Sequence, residues 1–305
     1  MEIKWLEDFL SLVDTRNFSR SAEERFTTQP AFSRRIKGLE EWLGATLFDR
    51  SKHPIALTPA GEQFRPIAEE VLRRLLQGRE DVRQTSENIE SVIVFSATHS
   101  LSLTFFPSWI KRIEEGAGVL RTRLDSNQVA NCVQALLRGE CHFMLCHTHP
   151  LVEVSLSDEF FTSLKVGEDR LLPVSAPAPE GGPVHALPGC RELPVSYLAY
   201  SDTSAIGRAV ELVMAGRPQK PVLNRVFESH LAGVLKTMCQ EGRGLAWLPE
   251  SQIEDAMNAG KLVLAGEESW GIPVDIRLFR SVDPLPRAAE EFWALLPGDA
   301  ERASD

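Results

Sequence analysis

No long stretch of this 305-residue chain is continuously apolar. A membrane-spanning helix needs roughly 18 such residues, so none is expected. The first residues lack a basic stretch leading into an apolar run, so no secretory signal is expected and the cytoplasm is the expected compartment. Five cysteines, an odd number with no CxxC pair, read as reduced thiols. Internal repeats and low-complexity segments are missing too. So are the motifs GxSxG, HExxH and GxxxxGK[ST], and Gly242-Arg243-Gly244 is too short for a dinucleotide fingerprint. No enzyme and no cofactor are expected. Cys141-His142, Cys146-His147 and His149 superficially resemble a metal cluster. Along a strand, however, His142 and Met144 alternate with Phe143 and Leu145, so successive side chains point to opposite faces. Without repeated CxxC or HxxxH spacing no metal is expected.

What the chain does have is local basic charge on an acidic background. Its net charge is -10, yet six Arg or Lys and only two Glu fall between Arg16 and Lys37. A basic element on an acidic protein points to a polyanion met at one surface. The 43% hydrophobic and 25% charged content is ordinary for a soluble protein, and the length suits two or three units with their own cores.

The basic segment has the periodicity of a helix-turn-helix. Trp5, Leu6, Phe9, Leu10, Leu12 and Val13 recur at helical spacing on a first helix. Ser19 is the expected N-cap of a short second helix, with Ala22 inward. Thr28-Gln29-Pro30 starts a third helix, with Thr as cap and Pro in the first turn. Phe32, Ile36, Leu39 and Leu43 form its inner stripe, and Gly44 ends it. Its opposite face carries Gln29, Ser33, Arg34 and Lys37, side chains suited to a major groove. Leu47-Phe48 and Ile55-Ala56-Leu57 flank the loop 49–54, giving two short strands around a basic wing. Arg50 and Lys52 on that wing, and Arg16, are expected at the DNA.

A Thr58 cap and Pro59 open a long helix expected over 59–89. Phe64, Ile67, Ala68, Val71, Leu72, Leu75, Leu76 and Val82 keep a helical period. Glu69, Glu70, Arg73, Arg74, Arg79, Glu80 and Arg83 fill much of the rest. A helix of this composition pairs with another helix, most simply its own copy, or packs on its own domain. A dimer would set two recognition helices about one DNA turn apart. Pro66 and Gly78 are candidate bends.

From Ser91 the pattern alternates strand and helix, implying α/β architecture with a largely parallel sheet. Strands are expected at 91–96, 119–124, 142–146, 170–174, 195–199, 222–227, 244–248 and 274–279. Helices are expected at 103–115, 129–138, 204–215 and 231–241. A second lobe is expected near Val166, giving a first lobe of about 90–165 and 268–305 and a second of about 166–267. Ligands in such sheets bind beyond the carboxyl ends of strands. That rule nominates Thr98, His99, Ser100, Ser126, Asn127, His147, Ser201, Asp202, Thr203 and Glu228. Ordinary helix capping is the competing reading for each.

The chain resembles the LysR-type transcriptional regulators. Phe18, Ala22, Gln29-Pro30-Ala31, Ser33, Ile36, Leu39-Glu40, Leu43-Gly44, Leu47-Phe48, Arg50, Leu57-Thr58 and Gly61 follow that family's order and spacing. The length and domain order also match. The resemblance implies a winged helix-turn-helix in 1–58, a linker and dimerisation helix in 59–89, and a two-lobed effector domain of periplasmic-binding-protein type in 90–305. It implies a double-stranded DNA operator, self-assembly into a homodimer or homotetramer, a small-molecule effector or oxidant, and RNA polymerase as a further partner. It also implies effector contacts at His99, Ser100, Ser126, Ser201, Asp202 and Thr203. Ser21 replaces a usual Ala. Arg25 stands where the family has a core Leu, with Phe26 expected to supply the missing apolar contact.

The segments 97–103, 30–35 and 244–250 look like the hypochlorite-responsive LysR-type regulators, which are activated by methionine oxidation. Turning a thioether into a sulfoxide makes an apolar side chain polar. Met144, Met214, Met238 and Met257 are the candidates, against a plain core-filling role for each. No basic cluster argues for a reactive cysteine. A small organic metabolite as effector is the alternative. A solute-binding receptor is a more distant one, and it would need a secretory signal.

Overall fold

The computed structural model describes residues 2–87 and 92–296. Positions 88–91, expected to end the linker helix and begin a strand, fall outside it, as do 297–305 and the side chains of Leu76, Arg79, Glu80, Val82 and Arg83. The chain forms two compact units that divide near residue 90.

The first unit opens with α1 (Ile3–Thr15), α2 (Phe18–Glu24) and α3 (Gln29–Leu43). Leu6, Phe9, Leu12, Ala22, Phe32, Ile36 and Leu39 turn inward to one core, as their spacing predicts. The cap of α2 differs from expectation. Asn17 Oδ1, not Ser19, accepts from Ser19 N at 2.9 Å and Arg20 N at 3.1 Å. Gly44 ends α3 at φ 72°, a left-handed turn that glycine adopts without strain.

The Arg25 position is solved by charge, not by Phe26. Arg25 Nε lies 3.0 Å from Asp8 Oδ1 and Arg35 Nε 3.0 Å from Asp8 Oδ2, while Arg25 also pairs with Glu7. Asp8 is fully buried, whereas Phe26 is 97% exposed at φ 50° in the turn before α3. The family's apolar contact is thus replaced by an ion cluster under α2.

The wing is β1 (Phe48–Asp49) paired antiparallel with β2 (Ala56–Leu57). Thr58 Oγ1 then accepts from Gly61 N at 3.1 Å and caps α4 (Pro59–Glu87). A Cβ on Gly61 would stand 2.2 Å from the Leu47 carbonyl oxygen and 2.7 Å from Leu57 Cδ2. Backbone cannot yield there as a side chain can. Gly61→Ala is therefore expected to destabilise this unit by about 1–3 kcal/mol, read as an earlier unfolding midpoint with weakened DNA binding. The α4 stripe splits in two: Ala68 and Leu72 pack into the core, while Ile67, Val71 and Leu75 face outward.

The second unit runs through β3 (Ile93–Thr98), α5 (His99–Thr104), α6 (Phe106–Ala117), β4 (Thr122–Asn127), α7 (Val129–Leu137) and β5 (Phe143–Thr148). The single helix expected over 103–115 is two. Pro107 has no N–H to bond back and crowds the carbonyl four residues earlier, so the chain breaks at Phe105 and Pro107 lies in the first turn of α6. The parallel trio β4-β3-β5 packs on Phe95, Phe143, Trp109 and Phe292.

Next comes β6 (Phe161–Ser175), one unbroken strand across the expected lobe boundary at Val166. After β6 come β7 (Val195–Tyr200), α8 (Ala205–Gly216), β8 (Leu223–Ser229), α9 (Ala232–Gln240), β9 (Ala246–Pro249), α10 (Glu250–Asn258), β10 (Val263–Leu264), a 3-10 turn at Glu268–Trp270, β11 (Ile272–Ser281) and α11 (Arg287–Ala294). Strand β11 lies antiparallel to both β5 and β6, so the sheet is mixed rather than largely parallel. These two crossing strands join the lobes. The second lobe's cores lie around Trp247 and around Leu235, with the parallel pair β7–β8 alongside.

Candidate functional site

In the first unit, α3 turns Phe32, Ile36 and Leu39 inward, so Gln29, Arg34 and Lys37 are exposed and Ser33 is half-buried. Thr28 occupies the N-cap position without a side-chain cap bond, and Pro30 lies in the first turn. Arg16 caps α1 in a left-handed conformation, φ 51°. Lys37 pairs with Glu41 at 3.5 Å and Lys52 with Asp49 at 3.9 Å, both on exposed ground where pairing is weak and easily exchanged for phosphate. Arg34 forms no ion pair among the described residues. Arg50 is more committed. It donates to Glu40 Oε2 at 2.9 Å and lies 5.2 Å from the centre of the Phe18 ring. Glu40 Oε1 in turn accepts from Leu47 N at 2.9 Å. Arg50 therefore ties the wing to the recognition helix.

In the second unit a cleft opens beyond the carboxyl ends of β3, β4, β5, β7 and β8. Its first-lobe wall is Thr98, His99, Ser100, Asn127, Gln128, Val129 and His147; its second-lobe wall is Tyr200, Thr203, Ser204, Ala205, Ile206 and His230. The room it encloses is about 60 Å³. Of the nominated residues, Thr98, His99, Ser100, Asn127, His147 and Thr203 meet here. Ser126 stands behind, its Oγ 2.9 Å from His99 Nδ1, and Ser201 Oγ is 3.3 Å from Thr203 Oγ1. Asp202 and Glu228 do not line the cleft. Both lie 3.3 Å from Arg225 Nη1, while Arg225 Nη2 holds Glu211 at 2.5 Å, and Asp202 is 82% exposed. A cation reached across β8 draws these carboxylates to the lobe surface.

Sequence reasoning missed Gln128, Val129, Ala205 and Ile206 as lining. Polar residue type guided the nominations, while a helix's first turn also presents apolar atoms and backbone to the cleft. Tyr200, Ser204 and His230 belong to the strand-end segments 200–204 and 228–230 to which the rule points in the sequence.

Among the described residues, the cleft carries three histidines and no Lys, Arg, Asp or Glu. The His99 and His230 rings face each other from opposite lobes, 6.2 Å between centres. Burial, and then the charge of His230, hold the His99 ring below its ordinary value; burial does the same for His149. A ring kept neutral in the fold binds fewer protons than the unfolded chain just below about pH 6.5, so stability falls as pH drops through that range. Urea unfolding at about pH 5.5 is expected to show a lower midpoint than at about pH 7.5, with a smaller drop in His99→Gln.

The other nominated chemistries are differently placed. Met144 and Met214 are buried, while Met238 and Met257 are half-buried against the second-lobe core. Burial pushes the Cys132, Cys146 and Cys239 thiols up. His142 Nδ1 accepts from Val94 N at 3.1 Å, and no group of three His, Cys, Asp or Glu among the described residues could hold a metal ion. No helix of the described residues is long and apolar enough to cross a membrane.

Known proteins share this arrangement. The bacterial regulatory helix-turn-helix protein, lysR family, model matches residues 3–62, and the LysR substrate binding domain model matches residues 86–300. The HTH-type transcriptional regulator YjiE of Escherichia coli (strain K12) is 32% identical over 295 residues, covering 96% of this chain and 93% of YjiE. The full-length structure of HypT from Salmonella typhimurium, a hypochlorite-specific LysR-type transcriptional regulator, is 30% identical with a TM-score of 0.59, covering 100% of both chains. DarR of Vibrio fischeri, solved in complex with DNA, is 33% identical with a TM-score of 0.57, covering 97% of this chain and 98% of DarR. An N-terminal helix-turn-helix followed by a two-lobed α/β domain, matched in sequence along nearly its whole length, makes this chain a member of the LysR family of DNA-binding transcriptional regulators.

Proposed function

We propose that this regulator responds to hypochlorite or a related oxidant, and that the signal alters its grip on an operator. The observation that carries the oxidant reading is the whole-length likeness to HypT, which is described as hypochlorite-specific. The regulator works in the cytoplasm as a homodimer assembled into a homotetramer, with RNA polymerase as a further partner. Ile67, Val71 and Leu75, which face outward along α4, support pairing of α4 with its copy. Gln29, Ser33, Arg34 and Arg50 read bases on double-stranded DNA, with Thr28 and Pro30 setting the helix start. Arg16, Lys37 and Lys52 serve mostly phosphates.

Met238 and Met257 are better placed than Met144 and Met214 to meet an oxidant, because they are only half-buried. A sulfoxide on either would set a polar, chiral group against the core around Leu235. The second reading is a small organic metabolite held in the interlobe cleft. It is favoured by the polar strand ends that converge there from both lobes.

A gel shift on DNA from the gene's own upstream region separates the two. The oxidant reading expects binding to change after mild hypochlorite and to return with methionine sulfoxide reductase. Binding indifferent to oxidant, but altered by a metabolite, sinks the oxidant reading and leaves the cleft effector.

A further inference from the structure

Three buried polar atoms on residues that line the cleft have no hydrogen-bond partner among the described residues: Thr98 Oγ1, His147 Nδ1 and Tyr200 OH. Such atoms are uncommon in folded proteins because each forfeits its hydration. Three around one cavity, contributed by β3, β5 and β7 from both lobes, mark a place built for a hydrogen-bonding guest.

His147 is the most constrained of the three. Its Nε2 lies 3.2 Å from Asp169 Oδ2 on β6. Asp169 Oδ2 also accepts from Ser251 Oγ at 2.7 Å, and Oδ1 from Arg170 N at 2.8 Å and Ser251 N at 3.3 Å. Burial works against the Asp169 charge, but these donors outweigh it and keep the carboxyl below its usual range. An ionised carboxylate only accepts, so Nε2 is the nitrogen that carries hydrogen. In the uncharged ring Nδ1 then offers a lone pair and nothing to donate. Ser251 lies in the first turn of α10 in the second lobe, and its Oγ is 3.2 Å from Thr104 Oγ1 in the first. The ring is thus held through Nε2, and the Nδ1 left without a partner among the described residues belongs to a residue that lines the cleft.

Charge narrows the guest further. With no Lys, Arg, Asp or Glu on the wall among the described residues, an ionic guest would lose its water without gaining a counter-charge. Tyr200 OH, kept protonated by burial, and Thr98 Oγ1 can each donate to an acceptor. At about 60 Å³ the room suits only a few heavy atoms.

We propose that the cleft takes a small uncharged molecule bearing an O–H or N–H, which donates to His147 Nδ1 and accepts from Thr98 or Tyr200, with Asp169 as the positioning residue that fixes the ring. The chemical class spans undissociated weak oxyacids, hydroperoxides and small alcohols or amides. The proposal rests on the reading of the cleft as the effector site. It stands apart from the oxidant question, since an unreactive molecule of this class would bind as well.

Boric acid is a suitable probe, being unreactive toward methionine, uncharged at neutral pH and rich in O–H groups; sodium bromide is its anionic counterpart. The full-length protein labelled with [15N]histidine would be titrated with each, following the imidazole nitrogens. A His147→Gln variant identifies the resonances by their loss. The expected result is hydrogen on Nε2 before titration, and a saturable shift of the Nδ1 resonance with boric acid but not with bromide. Asp169→Asn, whose amide can donate to Nε2 and move the ring hydrogen to Nδ1, should weaken boric acid at least tenfold. Ser251→Ala, which keeps the carboxylate, should retain the tautomer and serves as a control should Asp169→Asn not fold. Hydrogen on Nδ1 in the wild type, a bromide response, or no shift with boric acid each overturns the proposal. The titration uses no DNA and no oxidant, so a failed operator response leaves this result standing, and the reverse holds equally.

Discussion

Replacing Asp8 by alanine is expected to cost the first unit about 3–5 kcal/mol and to abolish operator binding near body temperature. The carboxylate is fully buried and is the common partner of Arg25 and Arg35. Removing it takes the shared carboxylate from two guanidiniums only 30% and 25% exposed, and leaves Arg25 with Glu7 alone. The penalty is that of orphaned charge, which exceeds the net worth of the cluster. Burial in fact pushes the Asp8 carboxyl above its ordinary range despite Arg25 and Arg35 beside it, so attraction does not fully offset desolvation. It follows that Asp8→Leu combined with Arg25→Leu should recover most of the loss, since Arg35 can turn to water and an apolar pair refills the space under α2. Urea unfolding of the three proteins, with DNA binding as the readout of the first unit, checks both halves. An Asp8→Ala protein within about 1 kcal/mol of the wild type would dispose of the argument.

Arg34→Ala is expected to weaken operator binding by about 10- to 100-fold, the worth of one bidentate base contact. Its side chain is exposed on α3, one turn from the N-terminus, and free of ion pairs among the described residues. Binding to unrelated DNA should fall far less, because a base contact supplies discrimination and not bulk attraction. Lys37→Ala should behave oppositely, lowering affinity for all DNA and flattening the salt dependence. Equilibrium titrations of operator and random duplex at two salt concentrations separate the pair. Sedimentation should find the assembly state unchanged in both variants. Equal losses on the two duplexes for Arg34→Ala would remove it from base reading.

The sequence by itself determined the helix-turn-helix. Its stripe residues recur every three or four positions, and its ends are marked by Pro30 and Gly44, all short-range signals. The strand ends that line the cleft were legible for the same reason, because strand and helix alternate in period. Pro107 was an equally local signal for the break between α5 and α6, and periodicity alone overrode it. Tertiary structure alone decided the rest. Arg25 meets Asp8 across 17 residues, and no local rule couples a charge on α2 to a carboxylate on α1. Asp202 and Glu228 stand at the right strand ends, yet Arg225 draws them to the surface. Asp169 reaches His147 and Ser251 only because β6 runs unbroken between the lobes. Periodicity records which face of one element is buried. Which charges become partners depends on elements far apart in sequence arriving at the same place, and that is settled only when the chain packs.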